Sequence, residues 1–389
     1  MVLKNRLKGV NFNKITLIFL FFYLGVTFFS LAIPNICLGV AFITFLAGLI
    51  FKQISFRNFD FKLYLSIISP FVLTIISVLN SNTYNAGFGY LNLRFPIIIV
   101  PLIILCVKTN REYLKTAFTI LLVAAIIASF ITFYNAMWYF NEDMLFHTDL
   151  TYFITAIHHP YFGIYLLLAL LGTLEFNIIK NNNLKILVLV ILSLAIAITT
   201  SRMVYLLYFI VASMYLYTKL STKSFKYGIV IIGAFVTLFI ISNKNILNKF
   251  TNSFDYNKSP RLKLWSNSLE VVSKTESYTF GIGMGDFYKT KKDAYFSRYY
   301  SNEAIGTYGY NPHSQPVEFY VTNGLVGVLI LFLALRFYLL KLKNQNVFVY
   351  SVFLIVFLFS LVECIFNRQY GVQLYSVLIP LITNQNFKK

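Results

Sequence analysis

The chain has 389 residues, of which 58% are hydrophobic and only 12% charged, with a formal net charge of +19. That composition excludes a disordered chain and a collagen, and three cysteines are too few for a disulfide scaffold. A nucleic-acid binder is excluded too, since its excess charge would lie on a polar surface, whereas here 41 Phe and 28 Tyr accompany long uncharged runs.

About 20 apolar residues in a helix cross the ~30 Å hydrocarbon layer while satisfying their own backbone groups. Stretches of this kind predict twelve spans, at 15–33, 35–51, 63–80, 95–107, 116–138, 159–175, 185–200, 203–218, 227–242, 316–335, 346–363 and 371–386. The expected fold is an all-α polytopic membrane protein of about 12 transmembrane helices, with one long extracytoplasmic loop between the ninth and tenth. Its parts are residues 1–242 (spans one to nine), 243–315 (the loop) and 316–389 (spans ten to twelve). Pro34-Asn35 is read as the turn between the first two spans, and Pro70, Pro96, Pro101 and Pro380 predict kinks. No small-residue cleavage site follows the first span, so no cleavable signal is expected.

Lys and Arg in short loops are retained in the cytoplasm. The N-terminus carries Lys4, Arg6, Lys8 and Lys14, and alternate connections carry Lys52/Arg57/Lys62, Lys108/Arg111/Lys115, Lys180/Lys185, Lys219/Lys223/Lys226 and Arg336/Lys341/Lys343. The opposite connections are acidic or nearly uncharged, as at Glu142, Asp143 and Asp149. The charge asymmetry predicts a multi-pass protein of the bacterial inner (plasma) membrane with both termini cytoplasmic. Most of the +19 is then a topology signal.

The loop at 243–315 is far longer than an ordinary connection, and loops of such length are usually functional. Ser259-Pro260 reads as an N-cap with proline at the first helical position. Leu262, Trp265, Leu269 and Val272 follow at helical spacing and predict an amphipathic helix. Gly281-Ile-Gly-Met-Gly285 reads as a turn, because no strand-then-helix unit surrounds it as a phosphate loop requires. Basic residues at 289–298 and a Tyr-rich run from Tyr299 to Tyr310 complete the loop.

Three basic residues stand on the outer side of the short segments, and all are arginine (Arg94, Arg202, Arg368), although lysines outnumber arginines 24 to 9. Arginine's planar fork binds phosphate in bidentate fashion. Arg202, which follows Thr199-Thr200-Ser201 at the start of an apolar span, is the strongest candidate for a diphosphate ligand, and Arg94 is a second. Arg368 reads more simply as snorkelling to headgroups. His313, in Asn311-Pro-His-Ser-Gln-Pro316 where the loop re-enters the membrane, is a candidate proton acceptor, with the unperturbed imidazole pKa near 6.5 suiting transfer at neutral pH. His158-His159 look similar but weaker, and His147 has no supporting context. Glu318 either orients His313, binds a sugar hydroxyl, or pairs with a nearby arginine. Cys37, Cys106 and Cys364 lack metal spacing and read as apolar packers.

The order of these features carries a resemblance. Ser201-Arg202 opens a span, the long loop contains Arg261-x-x-x-Trp265 and Gly281-x-Gly283-x-Gly285-x-Phe287, and Pro312-His313 precedes Gly324-Leu-Val-Gly327. This pattern, over about 199–335, resembles the O-antigen ligase and polymerase superfamily of membrane glycosyltransferases, with Met203 and Ser314 where the family usually has Gly and Asn. The resemblance implies cofactor-free, metal-independent transfer of a glycan from undecaprenyl diphosphate to an acceptor hydroxyl on lipid A-core, on another glycan or on a protein. By position, Arg202 and Arg261 would hold the diphosphate and His313 would be the general base, with Arg94, Glu318, His159 and Trp265 as possible support. A flippase or transporter is the rival class. It is disfavoured by the absence of similar halves and of charges deep within the spans.

Overall fold

The computed structural model describes residues 10–57, 59–107, 109–138, 157–219, 227, 247–248, 251–252, 255, 259–290 and 311–384. Among them the regular structure is entirely helical: α1 Phe12–Gly25, α2 Ala32–Ile50, α3 Phe61–Leu79, α4 Tyr84–Arg94, α5 Pro96–Cys106, α6 Arg111–Trp138, α7 His159–Phe176, α8 Asn182–Ile198, α9 Arg202–Lys219, α10 Pro260–Lys274, α11 Met284–Thr290, α12 Gln315–Leu342, α13 Val347–Val362 and α14 Gln369–Asn384. Among the described residues six segments are long and apolar enough to cross a membrane, namely α2, α3, the α4–α5 rod Tyr84–Cys106, α6, α7 and α12. Phe12–Phe28, α8, Arg202–Thr218 and α13 are shorter apolar helices. The predicted ninth span, His147, the acidic cluster Glu142, Asp143 and Asp149, and the Tyr-rich run lie outside the described residues.

Helix α7 is apolar on every face and buried on nearly all of them, the mark of a central element. It packs against α6, α8, α9 and α13, while α14 lies against α5, α13 and the start of the chain. Helices α2 and α12 instead turn large apolar side chains outward, such as Ile36, Ile43 and Ile50 or Leu329, Phe332 and Leu340. An outward apolar face of that extent suits hydrocarbon rather than water.

Four details differ from the sequence expectation. Pro34 lies inside the first turn of α2, where a missing N–H goes unnoticed, and the chain turns earlier, at Phe29–Leu31. Residues 84–94, expected as a loop, form α4, stacked on the short fourth span through Phe95. In α10 the buried stripe is Leu264, Ser268 and Val272, whereas Leu269 is exposed, because the helix is rotated to present Trp265 to the chain near His313. Helix α12 is interrupted at Gly324, whose φ of 62° and ψ of −156° are non-helical.

The glycine turn and this interruption explain each other. Breaking α12 frees the Val321 and Thr322 carbonyls, and buried carbonyls at membrane depth must find partners. Ile282 and Gly283 donate their N–H groups to them at 2.9 and 3.2 Å, and Ser77 Oγ adds a bond to Thr322 O at 2.9 Å. In return Leu325 and Val326 donate to Tyr278 and Thr279. The approach is so close that a Cβ at Gly281 would stand 2.4 Å from the Asn323 nitrogen, and one at Gly324 would stand 2.4 Å from the Thr279 backbone. Asp286 then pins the turn to the start of α4, accepting from the Asn82 and Thr83 N–H groups at 2.8 Å each and from the Asn82 and Thr83 side chains. The loop after α10 is thus anchored to α3, α4 and α12, which fixes the neighbourhood of His313.

Candidate functional site

Four helices begin within two residues of a residue of the candidate site. His158 is the N-cap residue of α7, Arg202 is the first residue of α9, Arg261 is the second of α10, and His313 precedes the Ser314 N-cap of α12. A helix N-terminus presents unsatisfied N–H groups and roughly half a positive charge. An arginine there sits at the unfavourable end of the dipole, at a cost of about 0.3–1 kcal/mol, unless an anion is bound between them. The tertiary structure brings three of these ends, those at His158, Arg261 and His313, around one carboxylate, and sets Arg202 within electrostatic reach of Arg261.

That carboxylate is Glu363, which stands beyond the C-terminal end of α13 in extended backbone. Its oxygens lie 3.2 and 3.3 Å from His313 Nδ1, and Oε1 accepts from Arg261 Nη2 at 3.1 Å. The Glu363 side chain is 7% exposed, His313 23% and Arg261 32%, so the cluster is open on the His313 and Arg261 side. Burial alone would raise the Glu363 carboxyl; the hydrogen bond and charge of His313, with Arg261 and His158, outweigh it and hold the carboxyl below its ordinary value. Arg202 is half-buried within electrostatic reach of Arg261. His158 is within reach of Glu363, Arg368 and His313. Burial holds its imidazole below the usual value, Glu363 opposes this, and Arg368 and His313 add to it.

Local sequence makes this geometry rigid. His313 has φ of 48° and Thr200, two residues before Arg202, has φ of 49°; both are left-handed conformations that a side chain with a Cβ rarely adopts. Each costs about 1–3 kcal/mol and persists only where the surroundings over-determine it. For His313 the surroundings are an N–H bond to Asn311 Oδ1 at 2.9 Å and the Trp265 indole, which donates to the Pro312 carbonyl at 2.7 Å. For Thr200 they are the tight α8–α9 corner, where Thr199, Thr200 and Ser201 are all buried.

The sequence-predicted residues therefore divide. His313, Arg261 and Trp265 are brought together and Arg202 is set beside them. The ring of His159 lies 4.6 Å from that of His158, and it is His158 that lies within electrostatic reach of Glu363. Arg94 requires a correction, and Glu318 takes the arginine-pairing alternative. Both are 0% exposed and bonded to each other at 3.2 Å. The Arg94 guanidinium also donates to Thr74 Oγ1, Asn367 Oδ1 and the Phe366 carbonyl, at 2.7, 2.6 and 3.1 Å. Glu318 also accepts from Tyr288 OH and Asn367 Nδ2, at 2.5 and 2.6 Å, and from Gln315. This interior network has no donor fork left for a diphosphate. It works as a strut, tying α3, α4, α11 and α12 to the segment 365–367 that follows Glu363.

Sequence reasoning missed Glu363. The available signal was a carboxylate at the C-terminal end of a wholly apolar helix, the wrong end of the dipole for a negative charge. Arg368, read as a headgroup anchor, is exposed and close enough to His158 and Glu363's neighbours to act on them electrostatically.

Residues 187–332 match the family model described as O-antigen ligase. The match covers less than half of the chain and supports the O-antigen ligase superfamily for this region. No curated protein matches the chain. The O-antigen ligase region takes in Arg202, Arg261, Trp265 and His313, and both the glycine turn and Gly324, whereas Glu363 lies beyond it. The O-antigen ligase match and the six long apolar segments among the described residues together support a multi-pass membrane protein.

Proposed function

We propose that this chain, as a member of the O-antigen ligase superfamily, moves a glycan from undecaprenyl diphosphate to an acceptor hydroxyl, in the ligase manner to lipid A-core, at the periplasmic face of the inner membrane. The observation that carries the reading is the His313–Glu363–Arg261 cluster, with Arg202 beside it, at converging helix N-termini. Glu363 accepts from Nδ1–H of His313, which leaves Nε2 as the basic nitrogen, the division of labour of an oriented base. Nε2 takes the proton of the acceptor hydroxyl as its oxygen attacks the anomeric carbon. The bond from that carbon to the diphosphate oxygen breaks, and undecaprenyl diphosphate leaves carrying the electron pair. The charge on the leaving group is met by Arg202, Arg261 and the N-terminal amides of α9 and α10, which are positioned before reaction and need no reorganisation. A positioned base contributes roughly 10²–10⁴-fold. Nothing in this step calls for a cofactor. On this reading residues 243–315 are the periplasmic loop and both termini are cytoplasmic.

The test is complementation of a disrupted strain, with surface glycans resolved on a gel. Loss of the ligase leaves lipid-linked polymer and bare lipid A-core. His313→Ala and Arg202→Lys are expected to give the same pattern while the protein is still inserted at normal abundance. Core bearing a single repeat would point to an O-antigen polymerase, and a defect confined to glycoproteins to a protein O-oligosaccharyltransferase. Full complementation by both variants would overturn the site.

A further inference from the structure

Glu363 has no helix of its own to hold it. It follows the last residue of α13 in extended backbone, with φ of −142° and ψ of 143°, and only a short 3₁₀ turn at Ile365–Asn367 lies between it and α14. A carboxylate on such a connector can orient a base only if the connector is itself fixed. Two bonds inside the connector do part of this. Ile365 N–H donates to the Glu363 carbonyl at 3.1 Å, and Asn367 N–H donates to the Cys364 carbonyl at 3.0 Å. A shift at Phe366 is therefore passed to Glu363 within one tight turn.

Phe366 is gripped at both of its backbone polar groups by side chains. Its N–H donates to Gln315 Oε1 at 3.0 Å, and its carbonyl accepts from Arg94 Nε at 3.1 Å. Gln315 Nε2 in turn donates to Glu318, so the two ends of the amide are engaged on different segments, one on the connector and one on α12. Gln315 is buried and stands two residues after His313, as the first residue of α12. Its amide thus joins the segment that carries the imidazole to the segment that carries the carboxylate. A fully buried ion pair is weak evidence for stability. What the Arg94–Glu318 pair does supply is a frame from which Gln315 and Asn367 hold the connector.

We infer that Gln315 is a positioning residue for the His313–Glu363 pair: it sets the connector against the start of α12, and so fixes Glu363 relative to Nδ1 of His313. The inference rests on the proposed transfer step and adds to it a residue that acts through Glu363 rather than on a substrate. Misplacing a reacting group by about 1 Å can cost on the order of 10²-fold in rate. Removing the Gln315 amide leaves the Arg94 and Asn367 bonds to the connector in place, so the expected loss is smaller, about tenfold.

The experiment uses the full-length protein in lipid nanodiscs and reads two quantities. The first is the Nδ1–H resonance of His313, observed by NMR with histidine-selective isotope labelling of a chain that has four histidines, and assigned by its loss in His313→Gln. It is expected to shift or vanish in Glu363→Gln and in Gln315→Met. It should stay in place in Tyr215→Phe, which removes a 3.0 Å bond to Glu175 about 20 Å along α9 from Arg202. The second quantity is transfer from a polyprenyl-diphosphate donor. In Gln315→Met kcat should fall about tenfold while the donor KM stays within threefold of the wild type. The double variant Gln315→Met/Glu363→Gln should lie within threefold of Glu363→Gln alone, because a residue that acts through Glu363 then has nothing left to position. Gln315→Asn, whose amide is one methylene too short to reach both partners, replaces Gln315→Met if the latter does not fold. An unmoved resonance, an unchanged kcat, or losses that multiply in the double variant would each overturn the inference. The resonance needs no turnover. Its loss in Gln315→Met, in a protein that transfers nothing, therefore sinks the transferase reading and leaves the positioning role, whereas transfer that Gln315→Met leaves untouched does the reverse.

Discussion

Glu363→Gln is the substitution that most directly tests the site. The amide keeps the shape of the carboxylate but loses its charge, and its NH₂ cannot accept from either His313 or Arg261. Hydrogen bonds to charged groups contribute about 1.5–3 kcal/mol and neutral ones about 0.5–1.5 kcal/mol. The loss is thus about 1–1.5 kcal/mol for each of the two bonds, at 3.2 Å to His313 and 3.1 Å to Arg261. Together these are about 2–3 kcal/mol, which at 1.36 kcal/mol per tenfold corresponds to a loss of roughly 30–150-fold in turnover. The assay is transfer from a polyprenyl-diphosphate donor by purified protein in nanodiscs, with kcat and KM measured separately and thermal unfolding measured in parallel. Turnover within threefold of the wild type, in a variant that folds normally, would refute the argument that Glu363 orients the base. A pH arm follows from the same cluster. A carboxyl held below its ordinary value stabilises the fold fully above the unfolded value near ~4.3, and this contribution is lost as the pH falls through the lower folded value. Wild-type stability should therefore fall more steeply than that of Glu363→Gln as pH drops below about 4.

Arg94→Met should lower the unfolding temperature sharply, because it leaves the buried Glu318 charge uncompensated at a cost of about 3–5 kcal/mol; the donor KM of the protein that still folds should stay within a few-fold of normal, and a large rise in KM would make Arg94 a phosphate ligand after all. Trp265→Phe removes the 2.7 Å bond to the Pro312 carbonyl and should reduce kcat about tenfold, for ~1–1.5 kcal/mol, with KM little changed; equal effects on both parameters would count against a positioning role. Asp286→Asn weakens four bonds that fix the glycine turn, and should cost about 2–3 kcal/mol by thermal unfolding. Burial would raise the Asp286 carboxyl, but its bonds to Thr83 and Asn82 hold it below the usual carboxylate range, so this contribution, too, is present above pH ~3.9 and disappears only in stronger acid.

Hydropathy alone determined where most helices lie, because an apolar run long enough to span a bilayer has no other way to satisfy its backbone. Eleven of the twelve predicted spans coincide with described helices, and the motif order pointed to the superfamily that the family match supports. Caps were legible for the same local reason: Ser259 does accept from Leu262 N–H at the start of α10. Residue type also singled out His313 and Arg202, and the motif resemblance added Arg261. What it could not decide was which outward-facing charges meet. Arg94 and Arg202 look alike in sequence, each an outer arginine beside an apolar run, yet one is locked in a buried network with Glu318, which lies 224 positions away, and the other lies beside Arg261. Glu363 joins the site across 50 residues from His313 and 102 from Arg261. The glycine turn and the break at Gly324 each look like a local defect, and they are stable because each supplies the hydrogen bonds the other lacks. A one-dimensional pattern specifies a helix through bonds among near neighbours, whereas a site is specified by partners that only packing brings within about 3 Å of one another.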